Sequence, residues 1–131
     1  MAKAGAGQRT RVVLADDAED LRAILRRLLE NDGRFEVVAE AEDGHEAVQA
    51  AADYQPDVIV LDLSMPLLDG RGALPRIRAV APSTRVIVLS GFGSLDEGDV
   101  ELGVDACIEK GAGIDEIIDV VAEVANRRRT D

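Results

Sequence analysis

The chain has one cysteine, Cys107, no tryptophan and three aromatic residues, Phe35, Tyr54 and Phe92. A single cysteine excludes an intramolecular disulfide and fits a reducing, cytoplasmic setting. With so few rings, the core has to be built from Val, Ile, Leu and Ala, which suits a parallel sheet buried between helices. Long apolar runs are missing as well. No stretch is long enough for a membrane helix, and residues 1–10 lack the apolar segment of a signal peptide. Positive charge is scarce: 15 Lys and Arg against 26 Asp and Glu leave a net charge of −11. Such a chain is expected to be repelled by nucleic acid and by anionic membranes, so neither is expected as a partner.

What is present reads as one globular domain. Residues 1–10 are expected to be disordered, 11–126 to form the domain, and 127–131 to be a basic tail. Arg127 to Arg129 complement a helix end, or alternatively begin a linker. Short β-rich runs at 11–15, 35–39, 57–61, 85–89 and 105–109 alternate with helical patterns. Leu21, Ile24, Leu25, Leu28 and Leu29 have the spacing of a first amphipathic helix, ended by Gly33 as a left-handed cap. Asp43 and Glu46 form a capping box before a second helix that stops ahead of Pro56. A third follows the turn at 65–70 and runs to about residue 80. Pro75 inside it would cost about 3 kcal/mol, so this helix is expected to start late, near Ala73, or to kink. A short fourth helix is expected after Ser94, and Ile114, Ile117, Ile118, Val121 and Val124 mark a fifth.

Alternating strands and helices imply right-handed crossovers and an α/β, doubly wound, five-stranded parallel sheet of order 2-1-3-4-5, flavodoxin-like, with helices on both faces. A parallel sheet brings all carboxyl ends of its strands to one edge. The first strand then delivers Asp16 and Asp17, the third Asp62, the fourth Ser90 and the fifth Lys110. Any one of these has an ordinary reading as a cap or a turn residue. Together they put three carboxylates, a hydroxyl and one ammonium in a single crevice. One lysine does not neutralise three carboxylates, and Mg²⁺ with oxygen ligands is the natural complement.

The stretches Leu14-Ala-Asp-Asp17, Val58-Ile-Val-Leu-Asp-Leu-Ser-Met-Pro66 with Asp69-Gly70, Val86-Ile-Val-Leu-Ser-Gly91, and Lys110 resemble the receiver domains of two-component response regulators, the CheY-like superfamily. The resemblance extends over residues 11–124. It implies that Asp62 accepts a phosphoryl group from a histidine kinase or histidine phosphotransfer protein. It further implies that Asp17 and Asp62 bind Mg²⁺ directly and Asp16 through water, that the Ser64 carbonyl is another ligand, and that Mn²⁺ can substitute. By the same resemblance Ser90 bonds a phosphoryl oxygen and Lys110 pairs with the phosphoryl group. The domain would be a signalling module rather than an enzyme, presenting its fourth helix, fifth strand and fifth helix to an unknown downstream protein or to a second copy. Aspartate is ionised at neutral pH, so transfer to it needs alignment and charge neutralisation rather than a base.

The sequence departs from the family in places. Cys107 stands where receivers commonly carry an aromatic, and reads here as a small buried hydrophobe. Gly111 follows Lys110 in place of the usual proline, predicting a looser connection, and the glycines of 91–103 predict a mobile segment. Phe92 could shield the acyl phosphate from water. His45, the single histidine, reads as an exposed residue near a helix cap. Three other readings compete: a fragment of a longer DNA-binding transcriptional regulator, a flavodoxin-like flavin-binding protein, and a scaffold that has lost its chemistry. The loop Asp16-Asp-Ala-Glu-Asp20 disfavours the flavin reading, because it would repel a phosphate without a metal.

Overall fold

The computed structural model describes residues 9–90 and 103–127. Five strands, β1 (Thr10–Ala15), β2 (Phe35–Ala41), β3 (Val58–Asp62), β4 (Arg85–Ser90) and β5 (Ala106–Glu109), form one parallel sheet in the order β2-β1-β3-β4-β5. Four helices are described: α1 (Glu19–Asp32), α2 (Gly44–Tyr54), α3 (Gly70–Val80) and α4 (Ile114–Asn126). This is the doubly wound α/β fold expected from the sequence. The helix expected after Ser94, Phe92, most of the glycine-rich segment 91–103, residues 1–8 and Arg128 onward lie outside the described residues.

The strand residues alternate between two cores. Val12, Leu14, Val58, Val60, Ile87 and Leu89 face α1 and α4. Val13, Ala15, Ile59, Leu61, Val86 and Val88 face α2 and α3. Both faces of β3 are covered, so it carries no polar alternation. Each fully buried Val, Leu or Ile contributes about 1.5–3 kcal/mol. The two layers are mainly aliphatic, with Phe35 the one ring buried in the α1–α4 layer among the described residues. No helix among the described residues is long and apolar enough to cross a membrane.

The helix ends differ in part from expectation. Gly33 ends α1 in the left-handed region (φ 92°), as its sequence position predicts. The buried face of α1, however, is Arg22, Leu25 and Leu29, while Ile24 is 45% exposed. The helix is rolled away from its most apolar stripe because Arg22 has bonding partners beneath it. At α2, Asp43 Oδ1 accepts the Glu46 N–H at 2.9 Å, but the Glu46 carboxylate accepts the N–H of Glu42, one residue before the cap. Helix α3 does not start late. It begins at Gly70 with Asp69 as its cap, and Pro75 lies inside it. Packing sets that early start: a Cβ on Gly70 would overlap the Asp62 carbonyl oxygen, so only glycine lets the helix begin against the end of β3.

Candidate functional site

Asp62 is the last residue of β3 and is fully buried. Its Oδ1 accepts the Ser64 N–H at 2.9 Å and its Oδ2 accepts Lys110 Nζ at 2.8 Å. Lys110 follows β5, and its main-chain N–H donates to the Ser90 carbonyl at 2.8 Å. That bond ties the lysine to the end of β4, where Ser90 is itself buried. Asp16 and Asp17 follow β1. Asp16 is buried and Asp17 exposed. Topology therefore brings Asp16, Asp17, Asp62, Ser90 and Lys110 to one edge, and Ser64 joins them through its main chain.

Asp16 is the least satisfied member. Its Oδ1 accepts the Ala18 N–H at 2.8 Å, while Oδ2 is buried, accepts no hydrogen bond and lies 3.9 Å from Lys110 Nζ. Burial, above all, raises its pKa; the Asp62 charge adds to the rise, against the Ala18 hydrogen bond and Lys110. Burial acts to lower the pKa of Lys110, but its hydrogen bond to Asp62 and the charges of Asp16, Asp62 and Asp17 outweigh it and hold the ammonium charged.

This arrangement fits a divalent cation. Asp16, Asp17 and Asp62 each offer an oxygen, all within 4.8 Å of one another. The set is hard and all-oxygen, and one of its buried oxygens lacks a hydrogen-bond donor.

The loop from Leu63 to Asp69 is clamped from three sides. The Leu63 N–H donates to Leu89 O at 3.0 Å, the Gly70 N–H to Leu63 O at 3.1 Å, and the Gly44 N–H to Leu68 O at 2.7 Å. A Cβ on Gly44 would collide with that same Leu68 carbonyl. Between the clamps Leu67 sits at φ 68°, 85% exposed, a conformation that costs a leucine about 1–2 kcal/mol.

Two other residues bear on the expectations. His45 is exposed. Cys107 is half-buried, less than its reading as a buried hydrophobe implies; it pairs with Val88 and packs on the α2–α3 side. A Cβ at Gly111 or Gly113 would meet nothing within 4 Å, so space does not demand glycine at either position.

Sequence reasoning missed Arg22. It is buried, its Nη1 donates to the Asp16 carbonyl at 2.6 Å, and its Nε donates to Glu40 Oε1 at 2.8 Å. The signal was its spacing: Arg22, Leu25 and Leu29 fall at i, i+3 and i+7, so an arginine occupies the sheet-facing line of α1.

Residues 12–122 match the family described as the response regulator receiver domain. The chain is 43% identical over 102 residues to the chemotaxis protein CheY of Listeria monocytogenes, covering 78% of this chain and 80% of that one. It is 36% identical over 128 residues to a protein-glutamate methylesterase/protein-glutamine glutaminase of Haloarcula marismortui, where it spans 88% of this chain but only 34% of the relative. The chain thus spans about a third of the length of the methylesterase relatives it matches. The response regulator domain of Thermotoga maritima CheB superposes with a TM-score of 0.82 at 30% identity, covering 93% of this chain and all of that one. With the sheet order, the clustered carboxylates and a match over most of its length, the chain belongs to the response regulator receiver domain family.

Proposed function

We propose that this chain accepts a phosphoryl group on Asp62 in a Mg²⁺-dependent reaction and so carries a signal from a histidine kinase or phosphotransfer protein to a downstream partner. Receiver domains are signalling domains of two-component systems, and accepting a phosphoryl group is general to them. The observation that carries the reading for these residues is the pairing of buried Asp62 with Lys110 beside the unsatisfied oxygen of Asp16.

In the step, the phosphorus–nitrogen bond of a phosphohistidine breaks and its electron pair leaves with the imidazole, while an Asp62 carboxylate oxygen forms the new phosphorus–oxygen bond. Lys110 offsets charge on the phosphoryl oxygens, and the Ser90 hydroxyl donates to one of them. Asp16, Asp17 and Asp62, with the Ser64 carbonyl, would hold Mg²⁺. When bound, the ion supplies the positive charge that one lysine cannot. The main-chain bond between Lys110 and Ser90 means that a pull on either is felt by the ends of both β4 and β5. In this reading the phosphoryl group biases the surface beside β5 and α4, where the downstream protein or a second copy would dock. No aromatic at Cys107 takes part in that readout.

Incubation with acetyl phosphate and MgCl₂, followed by intact-protein mass spectrometry, tests the proposal. The expected result is a gain of one phosphoryl group that Asp62→Asn or EDTA abolishes. No gain with acetyl phosphate or with any phosphorylated kinase would overturn the reading and favour a scaffold.

A further inference from the structure

Arg22 is the only buried basic side chain among the described residues. Burying a guanidinium on the sheet-facing line of a helix costs desolvation that a leucine would avoid. Its bonds show what the charge is used for. Nη1 donates to the Asp16 carbonyl at 2.6 Å, and Nε donates to Glu40 Oε1 on β2 at 2.8 Å. Glu40 Oε2 is held in turn by Arg26 Nη1 at 2.6 Å. The fork is thus braced from β2 while it grips the end of β1.

The atom it grips matters. The peptide plane between Asp16 and Asp17 is rigid, so fixing its oxygen fixes the direction in which Asp17 leaves Asp16. The rest of Asp16 is already fixed: its N–H donates to Ala41 O at 3.0 Å, and its Oδ1 accepts the Ala18 N–H. A slip of one residue in the β1–β2 register between Val12 and Val13 skips Val38 and sets the pairing of Glu40 and Ala41 with the end of β1. With Arg22 in place, Asp16 is held at its donor, its carbonyl and one carboxylate oxygen. Only Oδ2 remains, turned among Asp17, Asp62 and Lys110.

We infer that Arg22 is a positioning residue for cation binding: its grip on the Asp16 carbonyl sets the spacing of the Asp16, Asp17 and Asp62 oxygens and hence the affinity for Mg²⁺. The inference rests on the function proposed above. It makes a claim about sign. Removing a positive charge near an acidic site should by Coulomb's law tighten a cation. Removing a positioning bond should loosen it. The two effects oppose, so the direction of change identifies which dominates.

The test is calorimetric titration of the unphosphorylated protein with MgCl₂, which needs no turnover. Arg22→Met is expected to raise the Mg²⁺ dissociation constant by about 10-fold or more, the usual cost of losing an outer-sphere partner. Arg22→Lys keeps the charge but loses the two-point fork, and is expected to shift the constant in the same direction by a smaller factor. Arg26→Gln removes a charge from the same cluster without touching Asp16, and is expected to leave affinity unchanged or tighter. Faster amide exchange at Ala18 in both Arg22 variants is the second expected sign. Wild-type affinity in Arg22→Lys, or equal weakening in Arg26→Gln and Arg22→Met, would overturn the inference. Should Arg22→Met fail to fold by circular dichroism, Arg22→Lys decides alone. Failure of the wild type to bind Mg²⁺ would instead sink the function proposed above.

Discussion

At the amino edge of the sheet, polar side chains find main-chain partners; at the carboxyl edge, three carboxylates share one ammonium. Before β3, Asp57 Oδ2 accepts the Arg11 N–H at 2.8 Å. Before β4, Thr84, buried, donates its hydroxyl to Pro56 O at 2.7 Å. Before β5, Asp105 Oδ2 accepts the Val86 N–H at 2.8 Å, and Arg127 donates to the Asp105 carbonyl at 3.0 Å. Arg85 bonds the Val124 carbonyl and so caps α4. Across the sheet, Asp16 Oδ2 is buried with no donor and Lys110 faces all three aspartates. One edge uses its polar groups to close the fold, whereas the other holds charge that the fold leaves unmet, which is where the proposed function places its ligands.

Three changes sharpen or break that contrast. Lys110→Ala should be the largest. It removes the ammonium that pairs with Asp62 and is expected to slow phosphoryl uptake by about 10²- to 10³-fold, the size of losing one preorganised electrostatic donor. Uptake followed by mass spectrometry checks it, and a near-normal rate would show that the lysine only balances charge in the resting site.

Thr84→Val acts on the matched edge. It leaves the buried Pro56 carbonyl without its hydroxyl donor and should cost about 1–3 kcal/mol in urea unfolding, with the uptake rate unchanged. A change in uptake would mean the two edges are coupled.

Asp16→Asn should have the smallest effect and the opposite sign. A carboxyl whose folded-state pKa is raised subtracts stability once ionised. The penalty is full above the folded pKa and absent below the unfolded value of 3.8. At neutral pH in EDTA the variant is therefore expected to be more stable than wild type, by on the order of 1 kcal/mol. Saturating MgCl₂ should reverse the order, because only wild type retains the full cation site. Thermal denaturation with and without the metal reads both halves.

Much of the site was legible because chemistry-bearing residues follow runs of Val, Ile and Leu. Val58 to Leu61 can be read as a buried strand, and Asp62 then has to stand at its end. What escaped reading depended on contacts between distant segments. The start of α3 at Gly70 follows from the closeness of the Asp62 backbone, which local propensity, with Pro75 in view, does not register. The roll of α1 that exposes Ile24 follows from Glu40 and the Asp16 carbonyl meeting Arg22, although apolar spacing alone favours burying Ile24.

The sequence by itself determined the alternation of strand and helix, the parallel sheet and the group of residues at its carboxyl edge. These depend on periodicity and chain direction, which are local properties. Only the tertiary structure decided which oxygen goes unsatisfied, which arginine is buried and how the Asp16–Asp17 peptide is held. Those outcomes depend on a few tenths of an ångström between elements that meet only once the sheet has closed.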